Sequence, residues 1–123
     1  PKTPKPHLHR INIMIGNLLK ATRPWSFTAS LSIVFLVFAL KPKDFHNFDY
    51  SVYAEISLAI IVIHTAGNLW NSYCDFTNKI DTKETAADRT ILDDVISSST
   101  CRNASLFFFG LFAAFNIRQL LDL

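Results

Sequence analysis

The sequence predicts an all-α, multi-span transmembrane helical bundle, and two observations carry that expectation. Half of the 123 residues are hydrophobic and they gather in runs, while the charged fraction of 18% lies below the roughly 25% typical of soluble domains. The second apolar run carries a polar stripe, His64, Asn68, Asn71 and Asp75, whose three- and four-residue spacing puts it on one helical face. Polar groups in register on an apolar helix are costly in a bilayer and mark function by default.

The elements follow in chain order. Residues 1–10 are rich in Pro and Lys and read as a polar N-terminal tail, with His7 and His9 too isolated to form a metal site. Residues 11–123 form the helical part. Residues 11–22 repeat apolar side chains at helical spacing and fit a short amphipathic helix at the membrane interface. Pro24 suits the first turn of the next helix, Trp25 suits the headgroup level, and the apolar run continues to Leu40, so that a helical region of about 11–40 is expected. Lys41-Pro42-Lys43 ends it. A second span is expected at about 53–75, and a third at 104–123, where Arg118 and Asp122 lie near the end and can snorkel. Gly67 is expected to permit close helix approach. Between the last two spans lies a hydrophilic, acidic loop, 74–103.

Charge placement orients the chain. Lys2, Lys5, Arg10, Lys20 and Arg23 precede the first span, and Lys79, Lys83, Arg89 and Arg102 follow the second, whereas the loop at 41–52 holds only Lys41 and Lys43. The positive-inside rule then puts the N-terminus and the acidic loop on the cytosolic side. The sequon Asn103-Ala104-Ser105 would face the cytosol and stay unmodified. Cys74 and Cys101 do not make a disulfide framework and read as thiols on the reducing side. Basic residues do not form a stripe with interleaved aromatics, which argues against nucleic-acid binding.

The acidic loop is where chemistry is expected. Asn71 and Asp75 lie one turn apart at the end of the second span, and Asp81 reaches the same place if the helix breaks at Asn78-Lys79 and folds back. Two carboxylates and an amide offer oxygen ligands, which suit Mg²⁺ shared with substrate phosphates. Lys79, Lys83 and Arg89 can counter phosphate charge. The competing reading of residues 82–94 is a solvated loop of mixed charge. For His64 the expected role is a structural hydrogen bond to a neighbouring helix.

Three blocks resemble the UbiA superfamily of intramembrane prenyltransferases, and its menaquinone branch in particular: Arg-Pro-Trp-Ser-Phe-Thr-Ala-Ser at 23–30, His-Thr-Ala-Gly-Asn-Leu-Trp-Asn-Ser-Tyr-Cys-Asp-Phe-Thr-Asn-Lys-Ile-Asp at 64–81, and Asp-Arg-Thr-Ile-Leu at 88–92. The resemblance implies nine transmembrane helices around a central cavity, of which about three are present here. It implies Asn71, Asp75 and Asp81 as the first aspartate-rich motif, binding Mg²⁺ and an isoprenyl diphosphate. It implies a substrate-binding set of Arg23 before the first helix, Asn68 one turn before the motif, Lys79 within it, and Asp88 and Arg89 in the segment beside the substrate. The implied reaction ionises the diphosphate to an allylic cation, which a ring carbon of a naphthoquinol-type acceptor attacks in menaquinone (vitamin K2) or related prenylquinone biosynthesis. The implied donor is geranylgeranyl or longer.

The chain ends before a second aspartate-rich motif, so an N-terminal fragment, inactive alone, is expected. The alternative is a non-catalytic membrane protein that binds an isoprenoid or a partner through its helices. The expected setting is a multi-pass membrane protein of the ER, Golgi or mitochondrion in a eukaryote, or of the plasma membrane in a bacterium.

Overall fold

In the computed structural model, the described residues are 6–40, 49–82, 84, 86 and 89–121; of residues 6–10 and 119 the backbone alone is described. All regular structure among them is helical: α1 (Pro6–Ala21), a 3₁₀ turn (Pro24–Ser26), α2 (Phe27–Leu40), α3 (Tyr50–Thr77) and α4 (Ser98–Leu121). Ile11–Leu40 and Tyr50–Thr77 are each long and apolar enough to cross a membrane. The 28 residues of α3 extend about 42 Å, more than the roughly 30 Å hydrocarbon core of a bilayer.

The break between α1 and α2 has a local cause. Arg23 takes a left-handed conformation (φ 53°) just past the end of α1, and its N–H donates to the Lys20 carbonyl at 3.1 Å. A helix ending in this way normally adds a second bond from the next N–H, but the next residue is Pro24, which has none. The chain therefore turns, and the Ser26 N–H closes the 3₁₀ turn on the Arg23 carbonyl at 2.9 Å.

The start of α3 is capped by Asp49, whose carboxylate accepts from the Ser51 hydroxyl and from the N–H groups of Ser51 and Val52. These bonds, that of the Ser51 side chain foremost, hold the Asp49 carboxyl below the usual carboxylate range. At its other end α3 closes with a Schellman motif. The Lys79 N–H donates to the Phe76 carbonyl at 3.2 Å and the Ile80 N–H to the Asp75 carbonyl at 2.9 Å, with Lys79 in the left-handed conformation (φ 57°).

α4 packs antiparallel along α3. The contact is close, and Ala66, Leu69, Cys101 and Ser105 are fully buried. The Ser105 hydroxyl donates to the Ala66 carbonyl at 2.8 Å and the Cys101 thiol to the Leu69 carbonyl at 3.1 Å. Ile91 and Ile96, from the segment before α4, join Ala21 of α1 in the same core. Asn17 of α1 ties down that segment by donating to the Val95 carbonyl at 2.9 Å.

Five expectations change. Helix begins at Pro6, inside the stretch read as tail. α3 begins at Tyr50, three residues early, because Asp49 supplies its cap. α4 begins at Ser98, six residues before the expected span, because Ser97 caps it: its hydroxyl accepts from the Thr100 N–H at 3.1 Å. Among the described residues Gly67 has no close neighbour, since a Cβ built on it meets nothing within 4 Å. Arg118 does more than snorkel: it reaches Glu55 of α3 at 3.7 Å. Asp122, Lys83 and the loop lysines Lys41 and Lys43 lie outside the described residues, as do Lys2 and Lys5.

Candidate functional site at the end of α3

The polar stripe of α3 divides into a half that is used by the fold and a half that faces outward. His64, Asn68 and neighbouring Ser72 meet the polar atoms of the α1–α2 break. His64 Nε2 lies 2.8 Å from the Ser26 hydroxyl, and Nδ1 contacts the Ser30 hydroxyl. The Asn68 amide donates to the Thr22 carbonyl at 2.8 Å and to the Ser26 hydroxyl at 2.9 Å. Arg23 donates from Nη2 to the Ser72 hydroxyl at 3.0 Å. The structural role expected of His64 is therefore present, and no buried side-chain nitrogen or oxygen among the described residues lacks a hydrogen-bond partner. Asn68 and Arg23, expected at the substrate, also hold helices together.

Asn71, beside Ser72, and Asp75, one turn further on, continue the stripe. Asn71 is exposed and Asp75 half-buried. The fold-back expected at Asn78-Lys79 occurs, and it brings the Asp81 N–H to 3.4 Å from the Asp75 carbonyl. The side chains are arranged differently. Asp81 lines a cavity of about 620 Å³ together with Tyr73, Phe76, Lys79, Leu92 and Arg102, between the end of α3 and the start of α4. Asn71 and Asp75 are not among its lining residues, because helical periodicity puts them on the opposite side of α3 from Tyr73 and Phe76. Among the described residues, no three His, Cys, Asp or Glu side chains gather into a metal-holding group. The donors Asn71, Asp75 and Asp81 fit Mg²⁺ in kind, as oxygen ligands on adjoining turns.

Arg89 forms an ion pair with Asp93 at 3.0 Å, one turn along, within the segment 89–94. That pair is exposed, so its strength is modest and it leaves the guanidinium within reach of other anions. Asp88 lies outside the described residues. Sequence reasoning missed the partners Ser26, Ser30 and Ser72, Asp93 as partner to Arg89, and Arg102 in the cavity wall. Ser26 and Ser30 carried a signal: they sit four apart in an apolar run, the same spacing as His64 and Asn68.

Two long apolar helices, an interhelical polar seam and an outward-facing amide–carboxylate pair at a helix end define a helical membrane protein with a polar site at one end. The comparisons with known proteins agree on a family. The chain is 35% identical over 91 residues to UbiA prenyltransferase domain-containing protein 1 of Xenopus tropicalis, covering 74% of this chain and 26% of that protein. It is 36% identical over 91 residues to the Homo sapiens protein of that name, covering 74% and 27%. With the Danio rerio protein it shares 42% over 76 residues, covering 62% and 22%. The chain is thus related in sequence to the UbiA prenyltransferase family, and it spans about a quarter of the length of the curated relatives it matches. No family model and no solved structure matches it.

Proposed function

We propose that this chain supplies the first half of the diphosphate site of a membrane prenyltransferase. The reaction would transfer a prenyl group, geranylgeranyl or longer, from its diphosphate to a naphthoquinol-type acceptor in menaquinone or related prenylquinone biosynthesis. The observation that carries this reading is the Asn71–Asp75 pair at the end of a hydrogen-bonded seam, followed by a turn that returns the Asp81 N–H to the Asp75 carbonyl. Relatives named as UbiA prenyltransferase domain-containing proteins support the prenyltransferase part of this reading.

The residues would act as follows. Asn71, Asp75 and, with its side chain turned out of the α4-side cavity, Asp81 would hold Mg²⁺, and the metal would neutralise charge on the departing diphosphate. Lys79 and Arg89 would bind phosphate oxygens from the turn and from the following segment. Arg23 and Asn68 would set the position of α3 from beneath the site. The acidic end would face the cytosol, in accord with the distribution of Lys and Arg.

The test uses the complete protein of which this chain forms part. Calorimetric titration with geranylgeranyl diphosphate should show Mg²⁺-dependent binding that Asp75→Ala abolishes. Equal affinity of the variant and the parent would remove Asp75 from the site.

A further inference from the structure

The hydrogen bonds around Ser26 are complete in a way that determines the state of His64. A serine hydroxyl has one hydrogen to donate and two lone pairs. Ser26 makes three contacts: the Arg23 carbonyl at 2.8 Å, the Asn68 amide nitrogen at 2.9 Å and His64 Nε2 at 2.8 Å. The carbonyl can only accept, so it takes the Ser26 hydrogen. The amide can only donate, so it uses one lone pair. The remaining lone pair faces Nε2, which must then bring the hydrogen. In the neutral imidazole, Nδ1 is then the acceptor for the Ser30 hydroxyl.

This seam fixes the rotation of α3 about its own axis. His64, Asn68 and Ser72 follow each other at four-residue steps, and each is held by an atom of the α1–α2 break: Ser26 and Ser30, then Thr22 and Ser26, then Arg23. The three anchors span eight residues, about 12 Å of helix. Asn71 and Asp75 project from the same stripe, one position before and three positions after Ser72, so the direction in which they point is set by the azimuth of α3.

We propose that Ser26 and His64, the latter with hydrogen on Nε2, are positioning residues for the Asn71–Asp75 pair. They act through α3 and touch no substrate. The proposal rests on the site reading above for its functional consequence, but not for its structural content. It predicts an asymmetry between two conservative variants. His64→Gln keeps an amide donor near the place of Nε2, whereas His64→Asn keeps a polar atom near Nδ1 and leaves Ser26 without its donor.

The test has two arms on the complete protein in lipid nanodiscs. The first uses no ligand. Nitrogen-15 spectra of His64 should show a protonated Nε2 and an unprotonated Nδ1, and the Asn71 side-chain amide signal should move in His64→Asn but stay in place in His64→Gln. The opposite tautomer, or equal displacement of Asn71 by both variants, overturns the proposal whatever the protein binds. The second arm measures Mg²⁺-dependent affinity for geranylgeranyl diphosphate, expected to fall about tenfold in His64→Asn and less than threefold in His64→Gln. If the parent protein does not bind the diphosphate, the site reading fails, while the first arm still decides the positioning role.

Discussion

Along α3, the side facing α4 and the side facing α1 and α2 hold neighbours by different chemistry. Towards α4 the contact is close and mostly apolar, with Ala66, Leu69, Cys101 and Ser105 fully buried and two side-chain donors reaching carbonyls of α3. Towards α1 and α2 the contact is a row of side-chain hydrogen bonds from His64, Asn68 and Ser72. Close packing gains attraction summed over many atoms. Directed hydrogen bonds contribute less energy each and specify angle. The candidate site lies on the second side, where orientation matters.

Substitutions should separate the two sides. Leu69→Ala strikes the packed side and should cost about 2–5 kcal/mol, with the cavity that it leaves. Unfolding in a denaturing detergent titration measures this, and a loss below about 1 kcal/mol would mean that α4 is not anchored there. Asn68→Ala strikes the seam and removes two interhelical donors, for a loss of about 1–2 kcal/mol in the same titration. Its larger consequence should be in orientation, seen as a shift of the Asn71 side-chain signal that Leu69→Ala does not produce.

A smaller effect of opposite sign is expected at Lys79. A left-handed lysine at the end of α3 is strained, and Lys79→Gly should stabilise the turn by up to about 1 kcal/mol. The same change removes a phosphate partner, so stability and diphosphate affinity should move in opposite directions. If both rise, Lys79 has no role in binding.

The smallest effect concerns Asp49, exposed at the far end of α3. Its carboxyl titrates below the usual value because it accepts hydrogen bonds from Ser51 and Val52. A lowered pKa in the folded state contributes stability above the unfolded value, and that contribution is lost as pH falls through the folded one. Acidification below the ordinary carboxylate range should therefore fray the first turn of α3, seen as faster amide exchange at Ser51 and Val52. Asp49→Ala should exchange fast at these amides at every pH.

The long apolar runs made the helices legible, and the polar stripe of α3 pointed to its own importance. What the sequence hid was local. Ser97, Ser98 and Ser99 read as a polar loop, yet Ser97 is the cap that starts α4 two turns early, and a hydroxyl serves either purpose. Gly67 matched the small-residue rule for close helix contact, while the actual contact runs through Ala66, Cys101 and Ser105 on another face, which depends on how α4 is placed. For the site, sequence spacing located Asn71, Asp75 and the returning turn. It could not tell that Asp81 would line the α4-side cavity, because Lys79 sets that direction through its left-handed backbone.

The most direct test of the account puts Mn²⁺ in place of Mg²⁺ in the complete protein and records its electron paramagnetic resonance spectrum with geranylgeranyl diphosphate. Bound Mn²⁺ that appears only with the diphosphate, and is lost in both Asn71→Ala and Asp75→Ala, is the expected result. Bound Mn²⁺ of unchanged occupancy in both variants would contradict it, since the outward half of the α3 stripe would then hold neither metal nor diphosphate.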